Sequence, residues 1–236
     1  MTEDPGHQDR HLKSRVHPLA VALRLLRADA PGDIERDPRS WLRWAVLLPH
    51  VLAVTAYLDL EEAPAAAVLA DASWLLDRAG TYLRVHARPN DARLLYERAL
   101  AIGEAAHGPD HPDVAAALNN LALALRHLGY PEQARPLYER ALGIGEAAYG
   151  PDHPNVATAL NNLALVLGDL GYPEQARPLL ERALAIGEAA YGPDHPTVAI
   201  RLNNLAGILR DLGHPDQARP LLERAAATEH ADRNRR

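Results

Sequence analysis

The chain has 236 residues, long enough for one ordinary domain or for one elongated repeat array with no single central core. Its 25 basic and 31 acidic residues leave a formal charge of -6, so no bulk electrostatic pull draws it to nucleic acid or to an anionic membrane. Cysteine is absent, which excludes disulfides, thiolate metal sites and a cysteine nucleophile.

Residues 1–15, MTEDPGHQDRHLKSR, are polar and lack the apolar run of a secretory signal, so they read as a disordered tail. Residues 16–62 read as an N-terminal helical cap or as degenerate repeats. They hold two helical patterns, VHPLAVALRLLRA and SWLRWAVLLPHVLAVTAYL, split by the turn-rich PGDIERDPR. The second pattern is apolar on most faces, which predicts burial on most faces against the helix that follows from Pro64. Its most apolar stretch, Trp44 to Leu58, is interrupted by Pro49 and His50 and is too short to cross a bilayer. No membrane contact is expected, and a cytoplasmic location is the simplest reading.

Residues 63–230 are organised by repetition. The strings QARPLYERAL from Gln133, QARPLLERAL from Gln175 and QARPLLERAA from Gln217 recur every 42 residues, with a looser copy, DARLLYERAL, from Asp91. GPDHPDVAAALNNLA from Gly108, GPDHPNVATALNNLA from Gly150 and GPDHPTVAIRLNNLA from Gly192 keep the same spacing. Each unit reads as two helices. In the first, Val114, Leu118, Leu121, Leu125 and Leu128 form an amphipathic stripe, with Pro112 suited to the first turn and Gly129 to the left-handed residue after the end. Pro131 opens the second helix, whose inward residues are Ala134, Leu137, Tyr138, Ala141, Leu142 and Ile144 or Gly145. Pro136 inside it removes a backbone donor at a cost of up to ~3 kcal/mol, and a bend is expected there and at Pro178 and Pro220.

Small residues at Ala122, Gly129, Ala134 and Ala141 mark where paired helices approach closely. This pattern resembles the tetratricopeptide repeat, in the 42-residue variety of kinesin light chain, over about Ser73 to Ala227. The resemblance implies an all-α fold, a right-handed superhelical solenoid of antiparallel helix pairs: four units, then a polar tail at 231–236. The first unit is degenerate, with Asp77-Arg78 where the others carry Asn-Asn. The N-terminal region followed by such repeats also resembles the C-terminal part of actinobacterial NB-ARC signalling ATPases. Their nucleotide-binding part is not found, since no GxxxxGK[ST] string occurs. That likeness implies a regulatory sensor module for an ATPase supplied by another chain or lost from this one.

Stacking leaves one face of each first helix open. Stepping 100° per residue, the positions furthest from the stripe are Ala116, Asn119, Asn120, Leu123 and His127. Their equivalents are Thr158, Asn161, Asn162, Leu165 and Asp169, then Ile200, Asn203, Asn204, Gly207 and Asp211. The sets that vary between units, Arg126/Gly168/Arg210 among them, are candidates for reading ligand side chains. The invariant asparagines suit gripping a peptide backbone, because an amide both donates and accepts. They equally suit a ladder tying units together, since a buried unsatisfied amide costs ~1–3 kcal/mol. The resemblance points to Asn120, Asn162 and Asn204 as the backbone-holding members. It also disfavours chaperone-tail binding, because Asn119 and Leu123 stand where that branch places lysine and asparagine.

His111, His153 and His195 in identical GPDHP loops suggest turn stabilisation, since rings one helix pair apart, roughly 10 Å, cannot share a metal ion. Glu139-Arg140 and its repeats read as a solvated helix face. Catalytic strings such as GxSxG or HExxH are absent. The expected function is therefore non-enzymatic, with neither cofactor nor metal: a scaffold binding a protein or peptide in the groove, with no nucleic-acid partner. Leu221, Leu222 and Ala226 at the last unit lack a following neighbour, which predicts a monomer or a weak homodimer through that end.

Overall fold

The computed structural model describes residues 18–35, 37–58 and 64–233. The tail expected at 1–15 and the last residues of the polar tail, 234–236, lie outside them. Every element among the described residues is a helix: α1 (Pro18–Asp29), α2 (Arg39–Ala56), α3 (Ala66–Val85), α4 (Pro89–His107), α5 (Pro112–His127), α6 (Pro131–Tyr149), α7 (Pro154–Asp169), α8 (Pro173–Tyr191), α9 (Pro196–Asp211) and α10 (Pro215–Arg233). None of them is long and apolar enough to cross a membrane.

Packing follows chain order. Each of α3/α4, α5/α6, α7/α8 and α9/α10 forms a hairpin, each hairpin packs on the next, and α3, α5, α7 and α9 also touch in sequence. The first helices of the units thus line one wall of a solenoid, and the second helices form its outside. Leu118, Ala122 and Leu125 are buried as the stripe requires, as are Ala134, Tyr138, Ala141, Ile144 and Gly145 on the facing helix.

Local chemistry places each boundary. After α5, the Tyr130 N–H donates to the Leu125 carbonyl at 2.9 Å and the Gly129 N–H to Arg126 at 3.0 Å, with Gly129 at φ 82°. This is a Schellman closure, which needs a left-handed residue where an L side chain is strained. The degenerate first unit makes the same turn with Ala87 at φ 56°, and the Arg88 N–H donates to Leu83. At the other end of each first helix the imidazole is the cap: His111, His153 and His195 accept from the N–H two residues on, at 3.1–3.2 Å.

The second helices run as continuous α-helix through Pro136, Pro178 and Pro220. Pro136 and Glu132 are both exposed, so the carbonyl deprived of its donor faces solvent rather than the core. Glu139 lies on a solvated face, exposed and paired with Arg135 one turn earlier at 2.7 Å, but Arg140 does more. Arg140 reaches back to Glu104 of the preceding unit at 2.6 Å and to the Pro109 carbonyl at 2.7 Å, and Arg182 repeats this with Glu146 and Pro151. Each outer-face arginine is a clamp between units, individually worth no more than ~1 kcal/mol because it is partly exposed.

A second departure concerns α2. Trp44, Leu47, Val51 and Thr55 are buried against α1 and α3, but Leu42 is 80% exposed and Val46 52%. Burial on one face only follows from the packing: α2 rests on α1 and α3, Arg98 of α4 donates to its Thr55 carbonyl, and nothing covers its outer side among the described residues.

Two substitutions that install the residue of a sister unit test this account of the turns and helices. Ala87→Gly removes a left-handed alanine and is expected to raise stability by about 1 kcal/mol. Gly143→Ala fills an exposed helix position, with nothing within 4 Å, that is Ala101 and Ala185 elsewhere, for a gain of about 0.5–1 kcal/mol. Thermal melts should show both midpoints a few degrees above wild type.

Candidate binding wall

The wall formed by α3, α5, α7 and α9 carries the asparagine pairs half-buried, except Asn161, which is buried. Two rungs join neighbouring units: the Asn120 amide donates to Asp77 Oδ1 at 2.7 Å and the Asn204 amide to Asn161 Oδ1 at 2.8 Å. Between them the geometry differs. Asn161 donates to Asn162 at 3.3 Å, and Asn119 donates to its own helix at Ala115, leaving its Oδ1 buried without a partner among the described residues. Asn203 reaches Glu229 of α10 at 3.2 Å. The same residue types therefore tie units together at both ends of the wall and leave an acceptor spare in the middle.

Asp77 is the acidic end of this ladder. Burial holds its carboxyl above the usual carboxylate range, while Arg78 and the Asn120 bond pull the other way. Arg78, which stands where Asn120 stands in the next unit, pairs with Asp77 at 3.3 Å, and its Nε is buried with no partner among the described residues.

Three cavities open along the wall and all are lined by Arg78. One of about 420 Å³ lies between α5 and α7, bounded by Asn119, Asn120, Ala116, Thr158 and Ala159, with Ala141, Gly145 and Tyr149 behind. A second, of about 500 Å³, lies between α3 and α5, with Trp74, Asp77, Ser73, His107 and Asp113 in its lining and Arg27 of α1 packed over Trp74 at 5.0 Å. The third, of about 150 Å³, is closed on one side by residues 32–35 of the α1–α2 loop. That loop is pinned by Trp41 Nε1 on the Ile34 carbonyl at 2.8 Å, Trp44 Nε1 on Pro31 at 3.1 Å and an Arg84–Glu35 ion pair. It bounds the wall at the first unit and leaves the later units open.

One substitution controls the size of these spaces. Arg201 occupies the position of Ala117 and Ala159, is 3% exposed, and lays its guanidinium against Gly187. The matching Gly145 meets only Val156 at 3.6 Å, so the α5–α7 space stays open where its α7–α9 counterpart is filled.

Of the residues singled out from sequence, Asn119, Asn120 and Thr158 line the α5–α7 cavity. Leu123, Asn162, Leu165, Asn203 and Asn204 lie half-buried on the wall outside the three cavities, and Arg210 and Asp211 are exposed. His127 is exposed too, and partial burial together with Arg84 and Arg126 lowers its pKa against the opposing pull of Asp169. Asp169 is itself held by a bidentate ion pair with Arg126, one arm at 3.2 Å. Trp74, Arg78 and Thr81 were missed, although they are the first-unit equivalents of Ala116, Asn120 and Leu123 at the same 42-residue offset.

The sequence profile of the tetratricopeptide repeat family matches residues 70–144, 113–189 and 156–228, and the chain belongs to that family. Among solved structures it is similar to a kinesin light chain protein of Podosopora anserina with nearly identical TPR-like repeats, at 21% identity and a TM-score of 0.68 over 92% of this chain and 99% of that one. It is also similar to BtubC (BKLC) from P. vanneervenii, at 20% identity and a TM-score of 0.63 over 92% and 93%. Aspartyl phosphate phosphatase F of Bacillus subtilis matches at 15% identity and 0.64, over 81% of this chain and 46% of that one. At such identities the likeness is one of fold. No curated protein matches the chain.

The ladder makes a pH prediction. The folded state holds the Asp77 proton more tightly than the unfolded chain does, so this group's contribution falls as pH rises above the ordinary carboxylate range of ~4. Asp77→Asn keeps the acceptor for Asn120 and restores the residue type of Asn119 and Asn161. Urea unfolding at pH 4.5 and pH 7 should show the variant gaining on wild type at the higher pH, with the difference shrinking at the lower.

Proposed function

We propose that this chain is a protein-interaction scaffold that binds an extended polypeptide segment along the α3–α5–α7–α9 wall, with the α5–α7 cavity as its principal seat. The observation that carries this reading is the conjunction, at one opening, of the Asn119 and Asn120 side chains and the Arg78 guanidinium, over a floor of alanine and glycine. An extended segment brings backbone N–H groups and carbonyl or carboxylate oxygens for the two amides and the guanidinium, while the small floor leaves room for a side chain. Repeat solenoids in general use such extended concave surfaces for binding. The exposed positions Ala116, Thr158 and Ile200 differ from unit to unit and supply the register. A module that senses for an ATPase carried by a separate chain would use this same wall.

The test has a fold control built into the protein. Ala159→Arg places in the third unit the side chain that the fourth already accommodates as Arg201, and fills the cavity. Peptides selected from a random display library on the wild-type chain are expected to bind Ala159→Arg at least about tenfold more weakly, a loss of at least ~1.4 kcal/mol, at unchanged helicity. Arg78→Ala should weaken acidic peptides more than neutral ones. Equal binding to the filled variant contradicts the assignment of the seat.

A further inference from the structure

The α4–α5 junction, between the first and second units, carries a set of groups that the other two junctions lack. His107, the last residue of α4, stacks on His111 with ring centroids 4.4 Å apart, and Asp113 follows two residues into α5. His107 Nε2 and His111 Nδ1 each lie 3.7 Å from Asp113 Oδ2, and one ligating atom from each of the three residues falls within 4.8 Å of the others. The corresponding residues are Tyr149, His153 and Asn155, then Tyr191, His195 and Thr197, on a backbone that makes the same turn and the same aromatic stack. Two of three positions thus change together, from tyrosine to histidine and from asparagine or threonine to aspartate. Each change replaces a group outside the usual zinc ligands with one among them.

We infer that His107, His111 and Asp113 form a binding site for a zinc-like divalent cation, with at least one coordination position open toward the α3–α5 cavity. Two imidazoles and one carboxylate are ligands for zinc and its borderline neighbours; magnesium and calcium favour all-oxygen shells. Bonds of about 2.0–2.2 Å require the three atoms to draw closer together. The side chains can do so because they are partly exposed and sit at a helix end. His111 Nδ1 accepts from the Asp113 N–H at 3.2 Å, so the metal competes with the cap of α5 for that lone pair. His107 and Asp113 both line the α3–α5 cavity, where Arg27 pairs with Asp71 and Arg78 sets one nitrogen against Asp77. The open position faces the cavity that holds Trp74. The site does not depend on peptide binding at the wall.

The test is calorimetric titration of zinc chloride into the full chain after stripping with EDTA, set beside the double variant His107→Tyr/Asp113→Asn. That variant installs the residues of the α6–α7 junction, so its fold is already represented in the protein. One saturable site per wild-type chain is expected, weakened at least about tenfold in the double variant, as even the loss of a supporting partner costs 10–100-fold. His107→Gln, which leaves the cap untouched, should also weaken zinc binding. Absence of a saturable site in wild type, or equal binding by both variants through the chain's other histidines, overturns the inference.

Discussion

A helical hairpin of this size cannot bury its own apolar residues. Helices of 16 and 19 residues packed as a pair cover one side of each stripe, and the remaining side has to be met by the next hairpin. Ala122, Ala164 and Ala206 are fully buried where successive helices close on one another, and one core cluster runs from Leu83 to Ala225 without a break. Everything else in the molecule is conditioned by this dependence: the fixed period of 42 residues, the recurrent glycine turns, the inter-unit arginines on the outside. Because burial is satisfied between neighbours along the axis, the inner wall is left for polar and variable side chains.

The wall then divides its labour by position. The asparagine ladder is a structural device where its rungs close, at Asp77–Asn120 and Asn161–Asn204, and its interruption at Asn119 coincides with the opening between α5 and α7. Arg201 shows the cost of filling such a space: its Nη1 is buried without a partner among the described residues. The N-terminal helices close the first unit through residues 32–35, so the accessible part of the wall begins at Arg78 and Trp74 and runs toward α7.

How much of this was legible in the sequence depended on whether repetition carried the information. Helix pairs, glycine turns and proline starts recur, so comparing copies within the chain gave them with their boundaries, and the concave positions Asn119, Asn120 and Thr158 came from the helical angle alone. Arg78 and Trp74 escaped because they sit in the degenerate copy, one offset before the three clean ones. His107 escaped because its partner His111 recurs every 42 residues, whereas the pair itself is one helical turn apart. The outer face of α2 could not be read at all. A helix apolar on most faces says nothing about which neighbours the chain supplies, and here α1, α3 and Arg98 of α4 all meet the same side.

The chain contains no cysteine, which makes it a clean background for placing one. Single cysteines at Ala116, Thr158, Ile200 and, on the outside, Arg135 can be timed for reaction with a thiol reagent, in the free chain and in the presence of a bound peptide. An open recognition wall requires fast labelling at all four sites in the free chain, and protection on binding at Ala116 and Thr158 but not at Arg135. Slow labelling of the wall positions in the free chain, or protection confined to the outer helices, would contradict it.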